Sequence, residues 1–129
     1  MLDKLPILDM ASAMARHASA RHRVVAENVA NADTPGFRAR DIKPFSEYVN
    51  EPFTVRATRA GHVGGGSLHR AAYAPFPVLD STVQETGNGN SVSLESEMIK
   101  STETQGQHAL AMTIYRKVHD FMRLGLGRR

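Results

Sequence analysis

The 129-residue sequence contains no cysteine, which excludes a disulfide framework and any thiolate metal site. It has no tryptophan and few other aromatics, so a large aromatic core is not provided for. No run approaches the roughly 18–20 apolar residues that a membrane-spanning helix needs. The N-terminus lacks the pattern of a cleavable signal: Asp3 spoils a basic start, and Pro6 and Asp9 interrupt the apolar run. Catalytic signatures are absent too. No Gly-x-Ser-x-Gly, His-Glu-x-x-His, paired-carboxylate or nucleotide motif occurs. Gly64-Gly65-Gly66 is not followed by the Gly-Lys-Ser/Thr of a phosphate loop. His62 and His69 have no carboxylate or third histidine nearby. His17 and His22, five residues apart, would point about 140° apart on a helix. The sequence therefore nominates no catalytic, metal-binding or cofactor-binding residue, and the expectation is a protein that is not an enzyme. The formal charge of +3 is mildly basic and demands no nucleic acid.

What is present is a long helical pattern at each end. After Pro6, neither glycine nor proline interrupts Ile7 to Ala32. Ile7, Ala11, Met14, Ala18, Val25 and Ala32 recur at alternating steps of four and three, with Arg21 and Asn28 in the remaining places. That spacing predicts an amphipathic helix of coiled-coil type with a thin, alanine-rich seam. Arg16-His17 and Arg21-His22-Arg23 read as a solvated basic face, and Asn28 reads as a register-fixing or capping residue. At the other end, Gly87-Asn88-Gly89-Asn90 marks a turn and Ser93 suits a helix N-cap, with Glu95 and Glu97 at the positive end of the dipole. The helix should run to Leu124, where Gly125 and Gly127 end it. Leu94 and Met98 open its apolar face, and Ile114, Tyr115, Val118, Phe121 and Met122 widen it. Ser101 to His108 forms a polar central turn containing Gly106, read as helix stabilised by its flanks.

The fold expected is mainly α: terminal helices paired as an antiparallel hairpin or coiled coil. The middle segment is irregular, with room for a short β-hairpin. Residues 1–32 form the first helix, 33–49 a turn and extended anchor, 50–89 an irregular middle and 90–129 the second helix with its basic tail, together one domain. Phe53 to Thr58 alternates like a strand, and Ala74 to Leu79 is expected to be extended because each proline biases its predecessor away from helix. The C-terminal apolar face is wider than one thin partner can cover, and the excess predicts contacts with other chains. The candidate assembly surface is Ile7, Met14, Val25, Val29, Leu94, Met98, Ile114, Tyr115, Val118, Phe121 and Met122.

The stretch between the helical ends and the middle is the most informative. Asn28, Asn31 and Asp33 carry short polar side chains suited to a helix exit. Thr34-Pro35-Gly36-Phe37 has proline second and glycine third, the signature of a type II turn. Phe37 then offers an apolar anchor. This Asn-x-x-Asn-x-Asp-Thr-Pro-Gly-Phe block resembles the signature of bacterial flagellar axial proteins, and with Gly89-Asn90-Ser91-Val92-x-Leu94-Glu95-x-Glu97-Met98 it is most similar to the basal-body proximal rod subunits. The matched ends cover roughly half the chain. Asp33 stands where Asn is common and Ser93 where an acidic cap is common.

The resemblance implies a structural subunit whose terminal helices pack with those of its neighbours into a tube that transmits torque and conducts export. It implies further copies, other rod subunits, the rod-to-MS-ring junction protein and the export gate as partners. It also implies a place in the periplasm-spanning rod, reached through the flagellar export channel without cleavage. Another axial sibling is the nearest alternative. A basic helical nucleic-acid module using Arg16 to Arg23 and a membrane-surface helix at residues 2–25 fit the residues less well.

Overall fold

The structure, a computed structural model, describes residues 6–50, 76–81, 87–125 and 127. Helix α1 spans Pro6–Ala30, strand β1 Arg40–Ile42, helix α2 Phe45–Asn50, strand β2 Val78–Asp80 and helix α3 Leu94–Gly125. The two long helices lie side by side and antiparallel. Asn28 meets Glu97, Arg21 meets Glu103, and Ile7 to Met14 share a cleft with Ile114. This is the helical hairpin expected from two amphipathic ends that must each bury a stripe.

The seam falls where the heptad spacing puts it. Ala11, Ala18, Arg21, Val25 and Asn28 are buried and Met14 is half-buried. Across from them α3 buries Glu97, Thr104 and Ala111. Small side chains on both helices permit close approach, which compensates in dispersion contacts for what alanine lacks in buried area. The seam is lost at its ends: Ile7 is exposed, and α1 stops at Ala30 rather than Ala32. α3 runs unbroken through Gly106, so the polar central turn is helix. Its Thr104 hydroxyl donates back to the carbonyls of Lys100 and Ser101, at 2.9 Å each. Ser93 caps the helix, accepting the Ser96 amide at 3.4 Å.

The two strands pair antiparallel, with Arg40 opposite Asp80, Asp41 opposite Leu79 and Ile42 opposite Val78. β2 lies at the end of the segment expected to be extended. Its partner is not a neighbouring hairpin strand but the residues just after the helix-exit turn. The strand expected at Phe53 to Thr58 and the triple-glycine loop lie outside the described residues. The anchor at residues 33–49 is not extended throughout, because α2 forms directly after Pro44. Six residues are too few to display a helical period. His17, which faces α2, departs from the solvated basic face expected of it and is fully buried. Its Nε2–H donates to the Lys43 carbonyl at 2.7 Å, and the rings of Phe45, Tyr48 and Phe76 surround it with centroids 4.8–5.7 Å away. Among the described residues no helix is long and apolar enough to cross a membrane.

Candidate functional site: a polar clamp and an open apolar end

The helix-exit turn adopts the geometry its sequence specifies. Gly36 has φ +70°, and the Phe37 amide donates to the Thr34 carbonyl at 3.3 Å. An L-residue at that φ would be strained. Asn31 donates from its side chain to the Glu27 carbonyl at 2.8 Å, and the Thr34 hydroxyl donates to Asn31 at 3.3 Å. Asp33, Thr34, Pro35 and Gly36 are exposed. Phe37 is half-buried, with the Arg40 guanidinium 6.0 Å over its ring. Asp33 makes no side-chain hydrogen bond among the described residues.

The turn is fastened by residues from the start of the second helix. Asn90, buried, holds its side-chain amide 2.8–3.0 Å from the carbonyls of Asn31, Ala32 and Thr34. These carbonyls belong to the exit turn just past α1, and those of Asn31 and Thr34 also accept the Thr34 and Phe37 amides. The Asn90 oxygen accepts the Val92 amide at 2.7 Å. Ser91 donates its amide to the Phe37 carbonyl at 3.1 Å and accepts the Ala39 amide on its hydroxyl at 2.8 Å. The Gly36 amide donates to the Asn88 carbonyl at 3.1 Å. Gly89, also left-handed at φ +77°, lies so close that an added Cβ would sit 3.5 Å from the Gly36 Cα. Two segments that read separately in the sequence are therefore one object.

A charged network continues from there into the hairpin. Asn28 is fully buried and uses every polar atom: its amide donates to the Arg40 carbonyl (2.6 Å) and to Glu97 (3.0 Å), and its oxygen accepts the Arg40 amide (3.0 Å). Glu97, also buried, takes Lys100 at 2.8 Å. Lys100 reaches Asp41 at 3.3 Å, and Asp41 is gripped by Arg21 through two bonds of 2.9 and 3.2 Å. Arg21 also approaches Glu103 at 3.5 Å. The solvated basic face expected of α1 is thus narrower than its sequence suggests: Arg21 points inward, and only Arg16, His22 and Arg23 of that face are exposed.

Burial alone would raise the Asp41 pKa, but the Arg21 pair, the Ile42 amide and Lys100 outweigh it and hold the carboxyl below its ordinary value. The Arg21 guanidinium is held above its ordinary value by its bond to Asp41. Lys100 is raised as well, because Glu97 and Asp41 outweigh its burial. Burial drives His17 the other way, below the ordinary imidazole value, against the opposing pull of the Lys43 carbonyl. Such a network does not out-stabilise an apolar core, but it permits few registers, because any slip leaves a charge buried without a partner.

The opposite end of the hairpin is apolar and open. Ile7, Met10, Ala11, Met14, Phe45, Val49 and Ile114 line a cleft of about 470 Å³. Ile114, near the first turns of α1, leaves the final turns of α3 to run beyond Pro6, where α1 begins. There Phe121 is 79% and Leu124 80% exposed. Of the candidate assembly residues, Ile7, Met14 and Ile114 meet in this cleft. Tyr115 and Phe121 are exposed, and Val118 and Met122 half-buried, on α3 beyond it. Val29, Leu94 and Met98 form a separate exposed group at the clamp end. Val25 departs from the assignment: at 3% exposure it offers almost no surface to a neighbour. Asn90, Ser91, Asp41 and Lys100 belong to the site without being assignable to it from the sequence. Arg21 and Asn28 on heptad seam positions were the available signal, since a buried cation on a seam requires a carboxylate to meet it.

The molecule is a hairpin of two long helices, locked at one end by a turn-and-cap device and apolar at the other. The family model described as "Flagella basal body rod protein" matches residues 10–38, the stretch from the α1 seam through Gly36 to Arg38. The flagellar basal body rod protein FlgB of Agrobacterium fabrum is 29% identical over 124 residues, covering 94% of this chain and 92% of that protein. FlgB of Aeromonas hydrophila is 37% identical over 84 residues, 61% of each chain. FlgB of Salmonella typhimurium is 29% identical over 105 residues, 73% of each. The chain is thus similar to flagellar basal-body rod proteins along most of its length, and the rod protein it resembles is FlgB.

Proposed function

We propose that this chain is a structural subunit of the flagellar proximal rod, polymerising through its terminal helices into part of the drive shaft that transmits torque and conducts export. The observation that carries this reading is the asymmetry of the hairpin. The clamp end satisfies its polar groups within the chain, whereas the other end leaves Phe121, Leu124 and the Ile7–Ile114 cleft uncovered. Exposed apolar surface of this kind is characteristic of interaction sites. The role is mechanical: buried helix contacts carry load, and no bond is made or broken. The partners are further copies, other rod subunits, and the rod-to-MS-ring junction protein or export gate at the rod base. The location is the periplasm-spanning rod, reached by flagellar export without a cleaved signal. Residues 1–32, 33–49, 50–89 and 90–129 serve one rod-type domain. Within it, residues 28–37 set the exit turn and the exposed apolar residues of α1 and α3 make the contacts.

Replacing Ile114 and Val118 together with aspartate tests the reading. The variant is expected to be exported normally and to be missing from isolated basal bodies. Normal rods containing the variant would overturn it.

A further inference from the structure

His17 is the one fully buried histidine among the described residues, and only one of its two ring nitrogens is engaged. Nε2–H is taken by the Lys43 carbonyl, while Nδ1, equally shut off from solvent, has no hydrogen-bond partner among the described residues. A neutral ring tolerates this, because Nδ1 then carries only a lone pair. Protonation would make Nδ1 a buried, charged donor with no acceptor, which is costly.

The charged groups around the ring leave no anion free to receive that proton's charge. On α1, Arg16 adjoins His17 and Arg21 follows one turn on, both of them cations. From β1, Asp41 is already bonded twice to Arg21 and paired with Lys100. From the α2 segment, Glu47 pairs with Lys43 at 3.5 Å, and Tyr48 contributes a ring. From α3, Glu103 approaches Arg21. Phe76, just ahead of β2, brings no charge. Burial and the Arg21 cation favour the neutral ring and outweigh the Lys43 carbonyl and Asp41.

The part able to yield is α2. It hangs from buried Ile42 through Lys43 and Pro44, both exposed. The Lys43–Glu47 pair lies within this segment and does not tie it to α1. Phe45 and Tyr48 instead pack on the His17 ring, and Phe45 and Val49 form one wall of the apolar cleft against Ile7, Met10, Met14 and Ile114. The α1–α3 pair is fastened separately, by the alanine seam and by Asn28 on Glu97.

We propose that His17 is a latch for α2: neutral, it holds α2 down as a wall of the cleft, and protonated, it releases α2 while the α1–α3 hairpin stays closed. Release gives Nδ1 access to water and unpacks the rings of Phe45 and Tyr48. The apolar cleft is then the part of the surface whose shape follows pH, with histidine as the sensor. This device belongs to the single chain and stands whether or not the cleft is an assembly contact.

Backbone and imidazole NMR of the full chain, titrated from about pH 7.5 to about pH 5 across the ordinary histidine range, tests the latch. The amide signals of residues 45–50 are expected to move together with protonation of the His17 ring, at one shared midpoint. Those of the seam, such as Val25 and Ala111, are expected to stay in place. Signals of α2 that stay fixed, or that move with a different midpoint, overturn the proposal. A His17 ring that remains neutral throughout overturns it as well. So does a parallel change at Val25 and Ala111, which would be unfolding of the whole hairpin. In His17→Gln, neutral at every pH, the α2 signals should no longer move, and a movement of wild-type size would assign the sensor elsewhere. The comparison of midpoints needs only the wild-type chain, so it decides the matter even where the variant fails to fold.

Discussion

The two ends of the hairpin bury different things. At the clamp end the chain buries charge and amide: Asn28, Arg21, Asp41, Glu97, Lys100 and Asn90 saturate one another and the backbone around them. At the other end it gathers methyl and methylene groups around a cleft and leaves the last turns of α3 bare. Apolar packing is tolerant of small shifts, whereas a satisfied polar network is not. The clamp end thus sets how α1, the turn and α3 stand relative to one another. The open end, with the adaptable side chains of Met10, Met14 and Met122, tolerates a more varied fit.

The contrast breaks first at the cap. Asn90→Ala should remove three side-chain bonds from the exit turn that follows α1 and cost about 2–4 kcal/mol. For a chain of this size that lowers the melting temperature by about 10 °C, measurable by circular dichroism; an unchanged Tm would mean that water caps the helix equally well.

Acid should act on the same end in two steps. His17 is held below the ordinary imidazole value, so the unfolded chain takes up its proton first. Its contribution is complete above about pH 6.5 and is lost as pH falls through the folded value. Stability should therefore fall as the pH is lowered from 7 toward 5, and His17→Gln should flatten that slope. Asp41 is likewise held low, so its contribution is complete above about pH 4 and disappears only as pH falls further. Denaturant titrations at fixed pH would resolve the steps. A slope between pH 7 and 5 that survives His17→Gln would assign it elsewhere.

The smallest effect sharpens the comparison from the other side. Phe121→Ser removes a ring that contacts mainly solvent, so the monomer should lose less than about 0.5 kcal/mol. Basal-body incorporation should nevertheless fall. A large loss of monomer stability would show that the bare turns are already covered within the chain.

Much of the fold is legible in the sequence. The two helices, their antiparallel pairing, the alanine seam and the type II turn follow from periodicity and from proline and glycine placement. What stays hidden depends on contacts far apart along the chain. Asn90 reads as one turn residue among several, and nothing local reveals that it caps a helix ending some sixty positions earlier. β1 is three residues long, too short for alternation to show. Arg21 and His17 look like surface because charge and histidine usually are, and their burial depends on Asp41 and on the aromatic rings that α2 and Phe76 bring.

The pairing of Ile42 with Val78 makes the chain leave and return at nearly one point. Whatever lies between is attached at a closed port rather than strung between distant posts. Doubling the length of such a loop costs only about 0.6 kcal/mol, and little of that cost reaches the clamp. The length of the connection between the strands is therefore uncoupled from the register of the two long helices.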